Sequence, residues 1–371
     1  MTLAQSAVAA PPAGSGRITW VHPPGGFLGL SLLNGLLRIL TLGVYHFWGK
    51  TEVRQRIWSA VRIDGEPIEY RGSGWELFRG FLIVFFFVLL PLGFITFIAP
   101  LLWGTRLAGR GGIESLLWIA LFALWGLGIH RARRYRLSRT RWRGIRAGQG
   151  GSSGGFAWTY LWTTLLIPLT LGWILPWRAA KLQRALFNDT HFGDKAFAFL
   201  GGSGPLYRRF WLVWVSGVVL VLAAFAGIGA VVGTVMPTGN PSTSGGVKMT
   251  WDKIAAVVAI IFLALLIFAM IRAWYSSRMF NYFASETTYQ GARFHLATTV
   301  PSLVWLVATN YLIRTLSLTI LSPIAEARAT RYIVDRLSIA GDTDWHAVNQ
   351  NPDALLASGE GLAEAFNVDG F

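Results

Sequence analysis

Residues 80–103 contain no charged side chain, and neither do residues 210–236. A helix needs about 20 apolar residues to cross the ~30 Å hydrocarbon core of a bilayer, and both runs are long enough. Residues 254–271 form a slightly shorter uncharged stretch. Residues 116–129 are shorter still, and need Ile113, Ser115 and Glu114 at their edge to reach across. Backbone polar groups in lipid must pair within the chain, which restricts such runs to helices. Only 14% of residues are charged and 53% are hydrophobic, whereas soluble domains carry about 25% charged residues.

A second feature recurs three times. "LTLGVYHFWGK" (40–50), "LTLGWILPWRA" (169–179) and "LSLTILSPIAE" (316–326) each close an apolar run and open a segment dotted with Arg and Lys. The surrounding 34–58 and 310–334 align without a gap, with Asn, Leu, Arg and Leu at equal offsets. Gly43 and Gly172 are suited to positive φ where a helix ends, and Thr41 and Thr170 can cap local backbone. Copy three has Thr319 at the glycine position. Aromatic residues Tyr45, Trp48 and Trp177 then sit where an interfacial belt would lie. A helix follows in each copy, marked by Lys50, Arg54 and Arg56, by Arg178, Lys181 and Arg184, or by Arg328 and Arg331. Its spacing suits it to lie on headgroups.

Charge orients the chain. If the three TLG segments dip in and return, only Arg106, Arg110, Lys248 and Lys253 fall outside. Every other basic residue except Arg38 and Arg314 then lies on the cytoplasmic side. The expected fold is therefore an all-α polytopic membrane protein with internal repeats. It has four full transmembrane helices plus three TLG-containing membrane segments, which are re-entrant or interfacial, or else additional spans giving seven. Residues 1–26 read as a disordered lead-in without a basic n-region, and 27–337 as the repeated membrane domain. That domain comprises halves 27–148 and 156–295 and a third TLG element, 296–337. Residues 338–371 read as an acidic cytoplasmic tail that folds against the basic loops.

Candidate chemistry is sparse. Arg38 and Arg314 occupy the same repeat position inside apolar runs, where an ionised group is costly and needs a partner. Either they bind an anionic headgroup or solute, or each snorkels or caps carbonyls opened by the turn. Arg131, Arg133, Arg134, Arg136, Arg139, Arg141, Arg143 and Arg146 form the densest basic cluster, which reads as a lipid-facing surface for anionic headgroups. The net charge of +15 follows from such flanking residues and not from nucleic-acid binding. Gly72-Ser73-Gly74 and Gly202-Ser203-Gly204 lack the G-x-S-x-G pattern of a nucleophile elbow and read as turns before membrane helices. "GQGGSSGG" (148–155) reads as a flexible linker. With no cysteine and six scattered histidines, no metal site, no cofactor and no catalytic constellation is expected. A protein partner or a second copy is left open.

The stretch 34–81, "NGLLRILTLGVYHFWGKTEVRQRIWSAVRIDGEPIEYRGSGWELFRGF", resembles the signature of the YjgN family, and "SGEGLAEAFNVDGF" (358–371) resembles the way such proteins end. The family comprises bacterial inner-membrane proteins of unknown function. The resemblance implies a multi-pass inner-membrane location without implying a reaction. Two functions fit these observations: transport of a small or lipidic anion, or a scaffold that binds anionic lipids or a protein through basic cytoplasmic loops.

Overall fold

The structure is a computed structural model that describes residues 17–98, 110–233, 250–341 and 343–350. Residues 99–109 and 234–249, expected on the outer side, and most of the acidic tail, 351–371, lie outside these residues, as do the side chains of Ile113 and Glu114.

Ten helices carry the fold among the described residues: α1 (Leu28–Leu40), α2 (His46–Ala60), α3 (Gly74–Val84), α4 (Arg110–Arg139), α5 (Ser153–Leu169), α6 (Leu175–Asn188), α7 (Gly204–Gly233), α8 (Trp251–Ser285), α9 (Val300–Leu316) and α10 (Ser322–Val334). Helix α3 runs on through two π-helical turns, Phe85–Leu89 and Phe94–Ile98, on either side of Leu90–Gly93. Among the described residues, four helices are long and apolar enough to cross a membrane: Gly74–Thr96, Ser115–Arg139, Gly204–Val231 and Trp251–Ser285.

The chain is not all-α. Strands β1 (Ile18–Trp20), β2 (Val61–Ile63) and β3 (Glu66–Pro67) form one small sheet. A second runs in the order β11-β10-β9-β8-β7-β6-β5-β4, built from β4 (Glu69–Tyr70), β5 (Thr140–Trp142), β6 (Ile145–Gln149), β7 (Thr190–Phe192), β8 (Lys195–Phe199), β9 (Thr287–Tyr289), β10 (Ala292–Leu296) and β11 (Leu337–Ala340). Two-residue turns make the hairpins. Asp64-Gly65, Arg143-Gly144 and Gln290-Gly291 all hold positive φ at both positions, the geometry that matches strand twist. Three earlier expectations give way here. Ile18–Trp20, drawn into the lead-in, is a strand. The Arg-rich stretch 131–146, read as a lipid-facing basic cluster, continues α4 to Arg139 and then forms β5–β6. "GQGGSSGG" is no free linker: Gly148 and Gln149 pair with His191 and Thr190, and the Ser152 hydroxyl accepts from Gly155 N–H at 3.2 Å to cap α5.

The sheets impose a rule on the helices. Each helical excursion begins and ends on register partners of adjacent antiparallel strands. The partners are Trp20 and Val61, Tyr70 and Thr140, Gln149 and Thr190, Phe199 and Thr287, and Leu296 and Leu337. A segment whose two ends hydrogen-bond across one ladder returns to the side it left. The three TLG segments are therefore the tips of helical hairpins, α1–α2, α5–α6 and α9–α10, and do not add single crossings. Helix α1 is 13 residues, about 20 Å at 1.5 Å per residue, too short for the ~30 Å core. The described residues thus hold four candidate spans, with the TLG segments at hairpin tips between them.

The tips share one geometry. Leu42, Leu171 and Leu318 have φ of 51°, 48° and 48°, followed by Gly43 at 93°, Gly172 at 82° and Thr319 at 68°. The amides of these last three residues donate to the carbonyls of Arg38, Ile167 and Arg314 at 2.7, 2.8 and 2.7 Å. One hydroxyl stitches each pair: Thr41 donates to Leu37 O at 2.7 Å and accepts from Tyr45 N–H at 2.9 Å. Thr170 and Ser317 make the same two bonds. Polar backbone is thus satisfied internally, while Leu42, Leu171 and Leu318 stand 95%, 77% and 80% exposed. The marked helix of the first copy does not lie on headgroups. Arg54 is 7% exposed, within 3.4 Å of the Tyr70 hydroxyl, because α2 is packed on several sides: Phe47 joins Leu77 and Tyr135 in one core cluster, and Val53 and Ile57 meet Ala327 of α10 in another.

Candidate anion site between the first and third helical pairs

The first and third TLG hairpins face each other. Gly35 of α1 lies against Ile320 so closely that a Cβ there would sit 2.6 Å from Ile320 Cγ2. Each hairpin is braced by an asparagine at the same repeat position. Asn34 Nδ2 donates to Gly49 O at 3.3 Å, and Asn310 Nδ2 to Ala325 O at 3.0 Å. These two contacts set the shape of a cavity of about 250 Å³ between the pairs.

Arg38 and Arg314 both line that cavity, together with Lys50, His46, Tyr45 and Glu326. Arg38 Nη2 donates to the Thr319 hydroxyl at 3.1 Å, which ties the first hairpin to the tip of the third. Three permanent cations therefore face one carboxylate. Asn34 is buried and its Oδ1 has no hydrogen-bond partner. Positive charge at this density, held on braced helices, suits a phosphate, sulfate or carboxylate, since guanidinium forks match such oxygens bidentately. No group of three or more His, Asp or Glu side chains among the described residues could hold a metal ion.

The middle pair is built differently. Ile167 stands at the position of Arg38. Its tip docks on α7, where Trp173 packs on Tyr207, Phe210 and Trp214, and Trp214 Nε1 donates to Leu171 O at 2.9 Å. Thr41 and Gly43 thus shape the site's frame, whereas Thr170 and Gly172 serve packing against a span.

The arginine cluster is dispersed. Arg139 pairs with Glu76 at 2.8 Å, and Glu76 also accepts from the Tyr135 hydroxyl. Arg143 pairs with Glu66 at 2.9 Å and lies over Trp142. Arg133 lies 4.8 Å over Phe187 and reaches the Thr190 hydroxyl at 3.4 Å. Arg141 and Arg146 are register partners in β5–β6. Arg131 is exposed, and Arg134 and Arg136 are half-buried. Residues 343–350 lie against this hairpin through aromatic and backbone contacts: Trp345 sits among Trp142, Phe192 and Tyr289, and Gln350 Oε1 accepts from Arg146 N–H at 2.9 Å.

Sequence reasoning found the two arginines but missed Thr319 and Gly35 as site residues. The gapless alignment of 34–58 with 310–334 held both, because Thr319 replaces the turn glycine and Gly35 aligns with Tyr311.

Comparison with known proteins places the chain. The family described as bacterial protein of unknown function (DUF898) matches residues 24–365, and the chain belongs to it. Inner membrane protein YjgN of Salmonella typhimurium (strain LT2) is 31% identical over 71 residues, covering 19% of this chain and 18% of that protein. The resemblance to the YjgN family is borne out. The chain thus aligns with less than a fifth of that relative's length. No solved structure matches.

Proposed function

We propose that this chain is a multi-pass inner-membrane protein that moves a small or lipidic anion, with Arg38 and Arg314 as its binding pair. The observation that carries this is the convergence of the two arginines, from opposite ends of the membrane domain, on one cavity. The hairpin form of the TLG segments supports it. Broken helices that place backbone and charge at membrane depth are features of transporter sites. The name of the YjgN relative, an inner membrane protein, supports the inner membrane as the location. The concentration of Lys and Arg at the sheet end of the spans supports a cytoplasmic position for that end and for the C-terminal tail. The scaffold alternative rests on the basic loops, and Arg139 and Arg143 are already paired with carboxylates there.

The test is reconstitution into liposomes, with uptake of labelled inorganic phosphate and translocation of a head-labelled phosphatidylglycerol as separate assays. Movement of either probe, lost in Arg38→Ala/Arg314→Ala, is the expected result. Binding of anionic lipid with no movement of either probe would favour the scaffold, and movement undiminished in the double variant would overturn the site.

A further inference from the structure

Helices α7 and α8 form an antiparallel pair with a fixed register. Phe210 and Tyr275 meet with ring centroids 5.4 Å apart. A Cβ on Gly217 would lie 3.2 Å from Phe268, and one on Gly227 would lie 3.3 Å from Ile260. This register sets Arg209 and Arg278 at the same height, at the end of the pair that joins the sheet. Arg209 is the last charge before the uncharged run 210–236.

Both arginines line a cavity of about 320 Å³ with Asn281, Tyr282, Ser285 and His295, and no carboxylate is among its walls. Neither guanidinium has a bonding partner among the described residues. The walls are rigid. Asn281 exchanges three hydrogen bonds with Thr298, at 3.0, 3.0 and 2.7 Å, and the Tyr282 hydroxyl is held to Gly202 at both its amide and its carbonyl.

The other span pair shows what is missing. Aligned on Ser73 and Ser203, Glu76 corresponds to Leu206. At the α3–α4 end, Glu76 supplies a carboxylate to Arg139 and Tyr135. At the α7–α8 end the buried Leu206 supplies none, so two cations at one level are left without an internal anion. We propose that this cavity is a second, separate site, and that it takes the phosphate of an anionic phospholipid headgroup. Phosphate oxygens match paired guanidinium forks. The site sits at the margin of the apolar spans, where Trp211, Leu212 and Val215 are exposed alongside it and give acyl chains a surface to follow.

The test uses the full chain in detergent, in an Arg38→Ala/Arg314→Ala background that removes the other anion site. Short-chain phosphatidylglycerol, short-chain phosphatidylcholine and inorganic phosphate are titrated in turn. Saturable binding of phosphatidylglycerol is expected, weakened at least about tenfold by Arg209→Gln/Arg278→Gln and partly restored by Arg209→Lys/Arg278→Lys. Inorganic phosphate binding with the same dependence would assign the chemistry to a soluble source instead. Equal binding of phosphatidylcholine, or binding untouched by the glutamine pair, would overturn the site. Unchanged melting of the glutamine variant separates lost binding from lost folding.

Discussion

Arg38 donates from Nη2 to the Thr319 hydroxyl at 3.1 Å across 281 residues of chain, and Thr319 occupies the turn position where the other two copies have glycine. Its φ of 68° is strained for a β-branched residue. Thr319→Gly should therefore leave stability unchanged or raise it, by up to about 1 kcal/mol, yet loosen Arg38 and weaken anion binding. Thermal unfolding and binding measured on the same preparation check this split. A joint loss of both would contradict it.

Gly35 is where the two hairpins touch. A Cβ there already meets Ile320 at 2.6 Å, whereas one at Gly29 on the same helix meets nothing within 4 Å. Gly35→Leu should cost about 1–3 kcal/mol by overpacking and open the cavity, while Gly29→Leu should be neutral. Melting temperatures of the two variants in detergent decide the matter.

The four-span topology is open to labelling because the sequence has no cysteine. Arg143→Cys, Lys195→Cys and Gln350→Cys should react with a membrane-impermeant maleimide from one side, and Lys253→Cys from the other. Leu42→Cys, Leu171→Cys and Leu318→Cys should resist it from both. Labelling of Lys195→Cys from the side that labels Lys253→Cys would refute the topology.

Asp194 latches the tail. The Asn349 amide donates to its Oδ1 at 3.0 Å and Lys195 pairs with it at 3.1 Å, and these contacts, the Asn349 amide first, hold its carboxyl below the usual carboxylate range. A folded-state value below the unfolded one contributes stability at neutral pH, and that contribution is lost as pH falls through the folded value. Hydrogen exchange at 343–350 should accelerate on acidification below the usual carboxylate range. Asp194→Asn should give faster exchange already at neutral pH, with a flatter pH dependence.

How much was visible beforehand differs by feature. The spans were legible because uncharged runs such as 210–236 admit only helix. Arg38 and Arg314 stood out because the repeat placed a costly charge at the same offset twice. The strands were not legible. Thr140–Trp142 and Thr190–Phe192 are three residues each, too short to show alternation, and arginines around the first drew attention to charge instead of to the Arg143-Gly144 turn. That the two arginines meet depends on Gly35 and Ile320 approaching through tertiary packing, which no local pattern encodes. Arg209 and Arg278 look like ordinary flanking charges until the α7–α8 register sets them side by side.

The central claim is that an anion sits between Arg38 and Arg314, and equilibrium binding tests it most directly. In an Arg209→Gln/Arg278→Gln background, inorganic phosphate and short-chain phosphatidylglycerol are titrated against the chain with and without Arg38→Gln/Arg314→Gln. The account predicts saturable binding of at least one probe, weakened about a hundredfold by the second pair of substitutions as two charge-assisted contacts are lost. Affinity that is unchanged by removing both arginines would contradict it.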